Sequence, residues 1–309
     1  MINLHSHLEG RVRPSTAAEL SGRGGWEEAL QLDGPADLTV YLRKVASTYP
    51  LFGSFDALHR IAKEAVEDAA ADGEHYLELR FGPSTHVREG FGLDDVIAAV
   101  CDGMAEGSRV SGMPSGAVVA ILRSDPTELN EAVARAATRS AAVGFDLAGD
   151  ELLYPELERY VDAFAIARAS GLGLTCHAAE AGPASAALDA ADLFGVTRIG
   201  HGAHIVDDPD VLARVADRGL VVEVCPSSNW FTGAIASVTD HPAPRFRDAG
   251  VPLVLGDDNP RQTGSLLSNE RRILADDLGF DAAALAALDE VSIAASFMSD
   301  AGRVALRAR

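Results

Sequence analysis

Residues 173–200 read GLTCHAAEAGPASAALDAADLFGVTRIG, and this stretch indicates the fold class. It begins with the short apolar run Gly173–Cys176 and ends with a second one, Arg198–Gly200. The segment between them is rich in alanine and leucine, which is the composition of a helix. A strand, a helix and a strand in this order form a βαβ unit, in which the two strands are parallel neighbours.

The same alternation runs through the whole chain of 309 residues. Short apolar runs, eight in all, alternate with amphipathic stretches of about 10 to 18 residues. The runs are Ile2–Leu4, Tyr76–Phe81, Ala117–Leu122, Gly144–Leu147, Gly173–Cys176, Arg198–Gly200, Leu220–Val224 and Pro252–Leu255. This pattern predicts an α/β fold, a single (β/α)8 TIM barrel. Because no Gly/Ser-rich or Pro-rich linker divides the sequence, we expect one domain over residues 1–309.

Local signals place several helices. Apolar residues recur at helical spacing over residues 55–69 and the pattern stops at Gly73, which predicts an amphipathic helix. Asp125-Pro126 and Asp208-Pro209 each predict a helix start, with the aspartate as N-cap and the proline in the first helical position.

Two segments exceed what eight βα units need. Residues 15–53 are too many for one connection, so we expect extra helices or loops over the mouth of the barrel. The stretch after Asn269 is rich in Ala, Leu and Asp and predicts additional helices at the C-terminus.

Composition and charge narrow the class of ligand. The formal charge of -20 and the pI near 4.7 oppose binding to phosphate backbones and anionic lipids, so we expect no nucleic-acid or membrane partner. A small molecule fits better. The three cysteines, Cys101, Cys176 and Cys225, have no C-x-x-C spacing, which favours a reducing compartment. Without a signal pattern or a long apolar run, the sequence predicts a cytoplasmic protein.

Polar residues follow four of the predicted strands. In an α/β barrel the active site lies at the carboxyl ends of the strands, so the residues just after each apolar run decide the chemistry. These residues are His5 and His7 after the first strand, His177 and Glu180 after the fifth, His201 and His204 after the sixth, and Asp257 and Asp258 after the eighth.

The histidine pair at the first strand suggests a metal site. His5 and His7 point to the same face of a strand, although such a pair alone is more typical of hydrogen-bonded histidines inside a barrel. With His177 and Asp257 it makes the nitrogen and oxygen ligand set of a catalytic zinc site, a set that iron, cobalt or manganese would also accept. Cys176 points away from the axis and is expected in the core.

Proton carriers stand beside this predicted site. A divalent ion lowers the pKa of its bound water toward about 7, so groups that move protons must be close by. Glu180, Asp258 and His201 are the candidates for this role. The alternatives are a carboxylate at a helix start for Glu180 and an N-cap-like residue for Asp258. His204 is expected to be a supporting or structural residue.

At these positions the sequence resembles the adenosine deaminase family, a branch of the amidohydrolase barrels. The blocks that carry the resemblance are Leu4–Gly10 (LHSHLEG), Phe145–Glu151 (FDLAGDE), His177–Glu180 (HAAE), Arg198–His204 (RIGHGAH), Cys225–Asn229 (CPSSN) with Thr232-Gly233, and Asp257-Asp258. They occur in the family's order and span most of the chain.

The resemblance implies a zinc-dependent hydrolytic deaminase of a 6-aminopurine nucleoside. It implies one Zn²⁺ per chain, held by His5, His7, His177 and Asp257. Glu180 would protonate ring N1 while hydroxide attacks C6, His201 would orient and stabilise the hydroxide, and Asp258 would hydrogen-bond the water and N7. On the substrate side, it implies that the backbone of Gly149 contacts N3 and that Glu9 faces the 5' side of the sugar.

Three departures from the family pattern leave the substrate open. Ala179 replaces the usual glycine of His-Ala-Gly-Glu, Glu9 replaces the more usual aspartate, and Asn259 intervenes between Asp-Asp and the following proline. The family implies adenosine or a 5'-substituted adenosine such as aminodeoxyfutalosine or 5'-methylthioadenosine as substrate. The alternatives are free adenine, another amidohydrolase substrate, or a non-catalytic nucleoside-binding protein.

Overall fold

The structure is a computed structural model that describes residues 1–308. Eight parallel strands lie in the order β1 to β8, and β8 returns to β1, so the predicted (β/α)8 barrel is confirmed. The strands are β1 Ile2–His7, β2 Tyr76–Phe81, β3 Ser115–Leu122, β4 Gly144–Ala148, β5 Gly173–Ala178, β6 Arg198–His201, β7 Val221–Val224 and β8 Leu253–Leu255. Every predicted strand is present, with bounds that differ by a few residues at most.

Helices surround the barrel and cover its mouth. They are α1 Pro14–Ser21, α2 Trp26–Leu30, α3 Leu38–Ala46, α4 Phe55–Ala71, α5 Leu93–Ser111, α6 Thr127–Ala137, α7 Val161–Ala169, α8 Ser185–Phe194, α9 Pro209–Asp217, α10 Pro226–Phe231, α11 Ala243–Asp248, α12 Pro260–Thr263, α13 Leu267–Asp276, α14 Ala282–Ala295 and α15 Asp300–Arg307. The extra helices α1 to α3 and the C-terminal helices α13 to α15 occupy the two segments predicted to hold them. Over residues 1–308, no helix is both long enough and apolar enough to span a membrane.

The predicted helix starts have two outcomes. The Asp208 side chain accepts hydrogen bonds from Asp210 N and Val211 N, and Pro209 begins α9, as expected for an N-cap followed by proline. At the other site the expectation is wrong. The N-cap of α6 is Pro126, and the Asp125 side chain makes no capping bond there, because α6 begins only at Thr127.

The barrel closes through one backbone pairing. Asp258 N donates to His5 O at 2.9 Å, and His7 N donates to Asp258 O at 2.7 Å. These two bonds form the parallel bridge between Ser6 and Asp258 that joins the end of β8 to β1. The closure therefore places Asp258 directly beside the two histidines of β1.

The inside of the barrel carries paired charges. Arg80 and Arg198 are fully buried, and so are Glu78, Asp146 and Glu223. Each arginine contacts two of these carboxylates, at 2.9 Å in both pairs of Arg80 and at 2.7 Å in both pairs of Arg198. Buried charges are tolerated only when they are paired and hydrogen-bonded, and this network meets that condition.

A phenylalanine ring plugs the amino end of the barrel. The Arg198 guanidinium carbon lies 3.7 Å from the centre of the Phe297 ring. The ring also fills the space beside two strand-starting glycines, since a Cβ added at Gly144 or Gly173 would lie 2.4 or 2.0 Å from its atoms. Glycine at these positions lets the plug sit against the strands.

We expect Gly173→Ala to lower the free energy of unfolding by about 1–3 kcal/mol, because the added methyl group overlaps the Phe297 ring and the plug must move. Urea denaturation measures the change. Gly24→Ala is the matched control, since no atom lies within 4 Å of its added Cβ. An equal, small effect of both substitutions would contradict the role assigned to the plug.

Candidate active site

Imidazoles from three strands converge at the carboxyl end of the barrel. His7 Nε2 lies 3.2 Å from His177 Nε2. The His5 ring centre lies 4.8 Å from that of His177 and 4.6 Å from that of His201. The structure thus brings together all three histidines that the sequence predicts as ligands.

Buried carboxylates fix the orientation of two of these rings. His5 Nδ1 donates to Glu223 Oε2 at 2.7 Å, and His177 Nδ1 lies 3.1 Å from Asp146 Oδ2. With Nδ1 of each ring directed at a carboxylate, Nε2 faces the centre of the cluster. His5 Nε2 is buried and has no hydrogen-bond partner in the described chain, and burial lowers the pKa of His7 to about 3. A buried imidazole nitrogen without a partner, such as His5 Nε2, fits a zinc-type metal ion.

Arg80 keeps both supporting carboxylates ionised. Its guanidinium contacts Asp146 and Glu223, which support two different imidazoles. Burial acts to raise the pKa of each carboxyl group, but the neighbouring cations outweigh it and hold both pKa values below their ordinary range. Arg80 and His177 lower that of Asp146, and Arg80 and Arg198 lower that of Glu223.

The carboxylate next to the histidines belongs to Asp258. Its Oδ1 lies 3.3 Å from His7 Nε2 and 3.6 Å from His5 Nε2. Asp257, predicted as the ligand, points elsewhere: its Oδ2 accepts from Arg11 at 2.5 Å. The candidate metal-binding groups of the described chain include Asp258 with His5 and His201, but not Asp257. The structure therefore places Asp258, and not the predicted Asp257, among the groups that could hold a metal ion.

Strand alternation gives the physical reason for this correction. Glu223 points into the barrel and pairs in register with Val254 of β8. Side chains alternate along a strand, so Val254, Gly256 and Asp258 share the inner side and Asp257 lies on the outer side. The added Cβ of Gly256 would lie 2.4 Å from His5 Cβ, which agrees with this parity. Counted from Asp258, the segment reads Asp-Asn-Pro, so Asn259 is no insertion and takes the second place of the family's Asp-Asp-Pro.

Two hydroxyl groups hold the second oxygen of Asp258. Tyr41 Oη donates to Asp258 Oδ2 at 2.8 Å, and Ser228 Oγ donates to the same oxygen. Asn259 Nδ2 donates to Oδ1 at 2.9 Å, while Asn259 Oδ1 is buried and has no partner within residues 1–308. The carboxylate is therefore fixed on every side except the one that faces the histidines.

Glu180 lies in a loop that Glu151 organises. Glu151 Oε2 accepts from the backbone N–H groups of Glu180, Ala181 and Gly182, each at 2.9 Å. Burial raises the pKa of Glu180 to about 8. The carboxyl group therefore carries its proton at neutral pH, as a general acid must.

His201 is the fourth imidazole of the cluster. Its Nε2 lies 3.8 Å from Glu180 Oε2, and its Nδ1 lies 3.1 Å from the side-chain nitrogen of Asn229. Burial lowers the pKa of His201 well below its ordinary value, so the ring is neutral. His204, predicted to be a supporting or structural residue, is partly exposed and pairs with Asp207 at 2.8 Å.

A cavity of about 370 Å³ opens beside the cluster. Its lining includes the predicted site residues His7, Glu9, Gly149, His177, Glu180, His201 and Asp258, together with Asn259. Apolar and aromatic side chains form much of the rest: Leu38, Tyr41, Leu42, Val45, Tyr49, Leu122, Leu153 and Tyr154. Glu9 is fixed in the wall because its Oε1 accepts from His86 at 2.9 Å and lies 3.3 Å from Gly82 N.

The sequence analysis missed several residues of this site. Parity counted outward from Leu253 and Leu255, which pack in the main hydrophobic core, would have assigned Asp258 to the inner side. Asn229 was visible only as part of a motif, without a role. Tyr41 and His241 carry no local signal, because only the folded chain brings them to the cluster.

Comparison with known proteins assigns the family. The whole chain, residues 1–309, matches the protein family described as Adenosine deaminase. The adenosine deaminase of Mycolicibacterium vanbaalenii is 36% identical, and the match covers 90% of this chain and 84% of that protein. The adenosine deaminase of Shewanella denitrificans is 33% identical, with 100% and 97% coverage. The chain belongs to the adenosine deaminase family. Like its relatives, it is a hydrolytic aminohydrolase that acts on C–N bonds.

Solved structures of this family and its superfamily share the fold. The adenine deaminase of Arthrobacter aurescens superposes with a TM-score of 0.90 at 26% identity, covering 99% of this chain and 96% of that chain. An amidohydrolase from Burkholderia ambifaria with bound Zn gives 0.89 at 27%, covering 99% and 88%. The N6-methyl-AMP deaminase of Arabidopsis thaliana gives 0.86 at 26%, covering 99% and 94%. One of these neighbours holds bound Zn, and the named substrates of the two deaminases differ.

The correction at strand β8 predicts opposite behaviour for two adjacent aspartates. Asp258→Asn should weaken zinc binding by at least about 100-fold, because it removes the anionic ligand beside His5 and His7. Asp257→Asn should change zinc affinity far less, yet lower the free energy of unfolding by about 2 kcal/mol, because the buried Arg11 guanidinium loses one of its two carboxylate partners, Asp257 and Glu74. Chelator competition and urea denaturation measure the two effects. Loss of zinc from Asp257→Asn alone would reverse the assignment.

Proposed function

We propose that this protein is a zinc-dependent deaminase of a 6-aminopurine nucleoside, adenosine or a 5'-substituted adenosine, that releases ammonia. The observation that carries the proposal is the convergence of His5, His7, His177 and Asp258 beside a buried Glu180 at the floor of one cavity. The bound ion would supply a hydroxide nucleophile at neutral pH by lowering the pKa of its water.

Glu180 supplies the proton in this scheme. Its raised pKa keeps the carboxyl group protonated at neutral pH, so it can donate to ring N1 as negative charge develops during attack at C6. The backbone bonds to Glu151 hold the carboxyl group in the wall of the cavity. The proton of the added hydroxyl group passes to the amino group, the C6–N bond breaks and ammonia leaves, and the product keeps the oxygen at C6 and the proton at N1.

His201 and Asn259 orient the reacting groups. His201 faces the cluster from β6 and, as a neutral ring, can hydrogen-bond the attacking oxygen without adding a second positive charge beside the metal. Asn259 replaces the ring-facing aspartate expected from the family. Its side-chain N–H donates to Asp258 Oδ1 and so holds that carboxylate in place beside the cavity.

The charges around the cavity favour a neutral sugar end. The carboxylates of Glu9 and Asp150 line it, and Arg43 is the one arginine among the described lining residues. The nearby His86 is already paired with Glu9. A phosphate dianion placed against these carboxylates would be repelled, whereas a 5' hydroxyl can donate to Glu9 and an uncharged 5' substituent meets no such repulsion.

The cavity also supports a nucleoside over a free base. It extends from the imidazole cluster to Glu9 and Tyr49, and much of its wall is apolar. A flat purine alone would leave part of this wall without contacts, whereas the ribose of a nucleoside would contact more of it. The same wall leaves room for a small apolar 5' substituent, as in the methylthio nucleosides.

Steady-state assays over adenine, adenosine, 5'-substituted adenosines and guanine test the proposal through loss of adenine absorbance. We expect the adenosines to give the highest kcat/KM. Glu180→Gln should retain zinc at about one per chain and lower kcat by about 10²–10⁴-fold, since it removes the proton donor. Glu28→Gln, on an exposed surface, is the control. Turnover of adenine alone or of non-purines would refute the nucleoside proposal, and ligand binding without any turnover would indicate a nucleoside-binding protein.

The charge argument gives a second prediction. We expect kcat/KM for adenosine 5'-monophosphate to be at least about 100-fold below that for adenosine, because like charges facing each other cost several kcal/mol. Glu9→Gln should narrow this ratio by raising activity on the monophosphate relative to adenosine. Glu89→Gln changes the net charge equally at an exposed position and should leave the ratio unchanged. A preference of the unmodified protein for the monophosphate would contradict the argument.

A further inference from the structure

A chain of hydrogen bonds leads from the start of α11 to His201. Ala243 N lies 3.1 Å from His241 Nδ1, and His241 Nε2 lies 3.1 Å from Asn229 Oδ1. Asn229 Nδ2 lies 3.1 Å from His201 Nδ1. His241 and Asn229 are buried and are not among the residues that line the cavity.

The direction of this chain follows from its first member. Ala243 is the first residue of α11, so its backbone N–H has no partner within the helix and can only donate. His241 Nδ1 must therefore accept. Burial lowers the pKa of His241 to about 3, so the ring is neutral and its one proton lies on Nε2.

The direction of each remaining hydrogen bond in the chain is then determined. Because His241 Nε2–H donates to Asn229 Oδ1, the Asn229 amide cannot be rotated by half a turn, and its Nδ2–H points at His201. His201 Nδ1 must then accept, which leaves the single proton of the neutral ring on Nε2. That nitrogen faces Glu180 and the other imidazoles.

We infer that His241 and Asn229 are positioning residues that fix His201 as the Nε2–H tautomer, a hydrogen-bond donor toward the reacting oxygen and not a metal ligand. A lone pair on Nε2 would allow His201 to bind the ion in place of Asp258, since His201 lies with His5 and Asp258 in one candidate group. With the proton on Nε2, that nitrogen can only donate a hydrogen bond. The backbone N–H at the start of α11 thus determines, through His241 and Asn229, that His201 donates a hydrogen bond and does not bind the metal ion.

The kinetic consequences rest on the deaminase activity proposed above. His201 as donor stabilises negative charge on oxygen, a contribution whose removal costs about 10²–10³ in kcat. The relay, which is the chain of hydrogen bonds from Ala243 through His241 and Asn229 to His201, touches no substrate atom in this scheme. Its loss should therefore lower kcat while KM stays within a few-fold, a split that general loosening of the fold would not produce.

The first measurement is independent of activity. ¹⁵N NMR of histidine-labelled, zinc-loaded protein reports which ring nitrogen of His201 bears the proton, with the resonance assigned by its absence in His201→Gln. We expect protonated Nε2 and unprotonated Nδ1. A proton on Nδ1 in the unmodified protein would overturn the inference, whatever the activity.

Kinetics of three variants supply the second measurement. Asn229→Asp replaces the amide donor by a carboxylate that accepts from both rings, so the His201 proton moves to Nδ1 and kcat should fall by about 100-fold or more. His241→Phe removes the donor that orients Asn229 and should lower kcat by at least about 10-fold. His241→Gln restores an N–H donor and should return kcat to within about threefold of the unmodified protein.

His204→Gln, a partly exposed histidine outside the site, is the control and should leave kcat unchanged. Equal kcat values for His241→Phe and His241→Gln would refute the relay, and so would an Asn229→Asp variant with undiminished kcat. If the unmodified protein deaminates no 6-aminopurine, the proposed function fails, but the NMR result still decides the tautomer.

Discussion

The site depends on two backbone hydrogen bonds that close the barrel. Asp258 N bonds to His5 O and His7 N bonds to Asp258 O, so one peptide segment completes the sheet and delivers the carboxylate to the histidines. A barrel that closes one residue earlier or later would present a different side chain to the cluster, because neighbouring residues face opposite sides. Fold and ligand set are therefore determined together. The backbone at Asp258 adopts φ of +56°, an unusual value for a residue other than glycine, and the closure holds it there.

The charged interior gives the histidines their fixed protonation. Each supporting carboxylate is buried beside an arginine, so it stays ionised and can accept from an imidazole Nδ1–H. An apolar core would cost less desolvation energy, but it would leave the rings free to adopt either tautomer. Two kinds of hydrogen-bond partner therefore determine which ring nitrogen of each histidine carries the proton. Carboxylates fix the rings of His5 and His177, whereas an amide and a helix N-terminus act on His201.

The sequence predicts the architecture because strand and helix signals are local. Eight apolar runs and the helices between them follow from residues close in the chain, and the histidine pair on β1 follows from parity within one strand. Strand parity also places Asp258 on the inner side, whereas matching Asp257-Asp258 to the family's Asp-Asp pair puts the ligand one residue too early. The contacts of Tyr41, Asn229 and His241 join elements far apart in sequence. Their roles depend on register, closure and the direction of individual hydrogen bonds, which no local pattern contains.

The departures from the family pattern all lie at the site, and each has a structural partner. Ala179 has φ of +54°, a conformation that costs alanine more than the usual glycine, and the bonds from Glu180, Ala181 and Gly182 to Glu151 hold the turn in place. The Glu9 carboxylate contacts His86, which neutralises part of its charge within the wall. Asn259 keeps a hydrogen bond to Asp258 and lines the cavity. Because these changes leave the imidazole cluster and Glu180 untouched, the chemistry stays that of the family while the shape and charge around the substrate change.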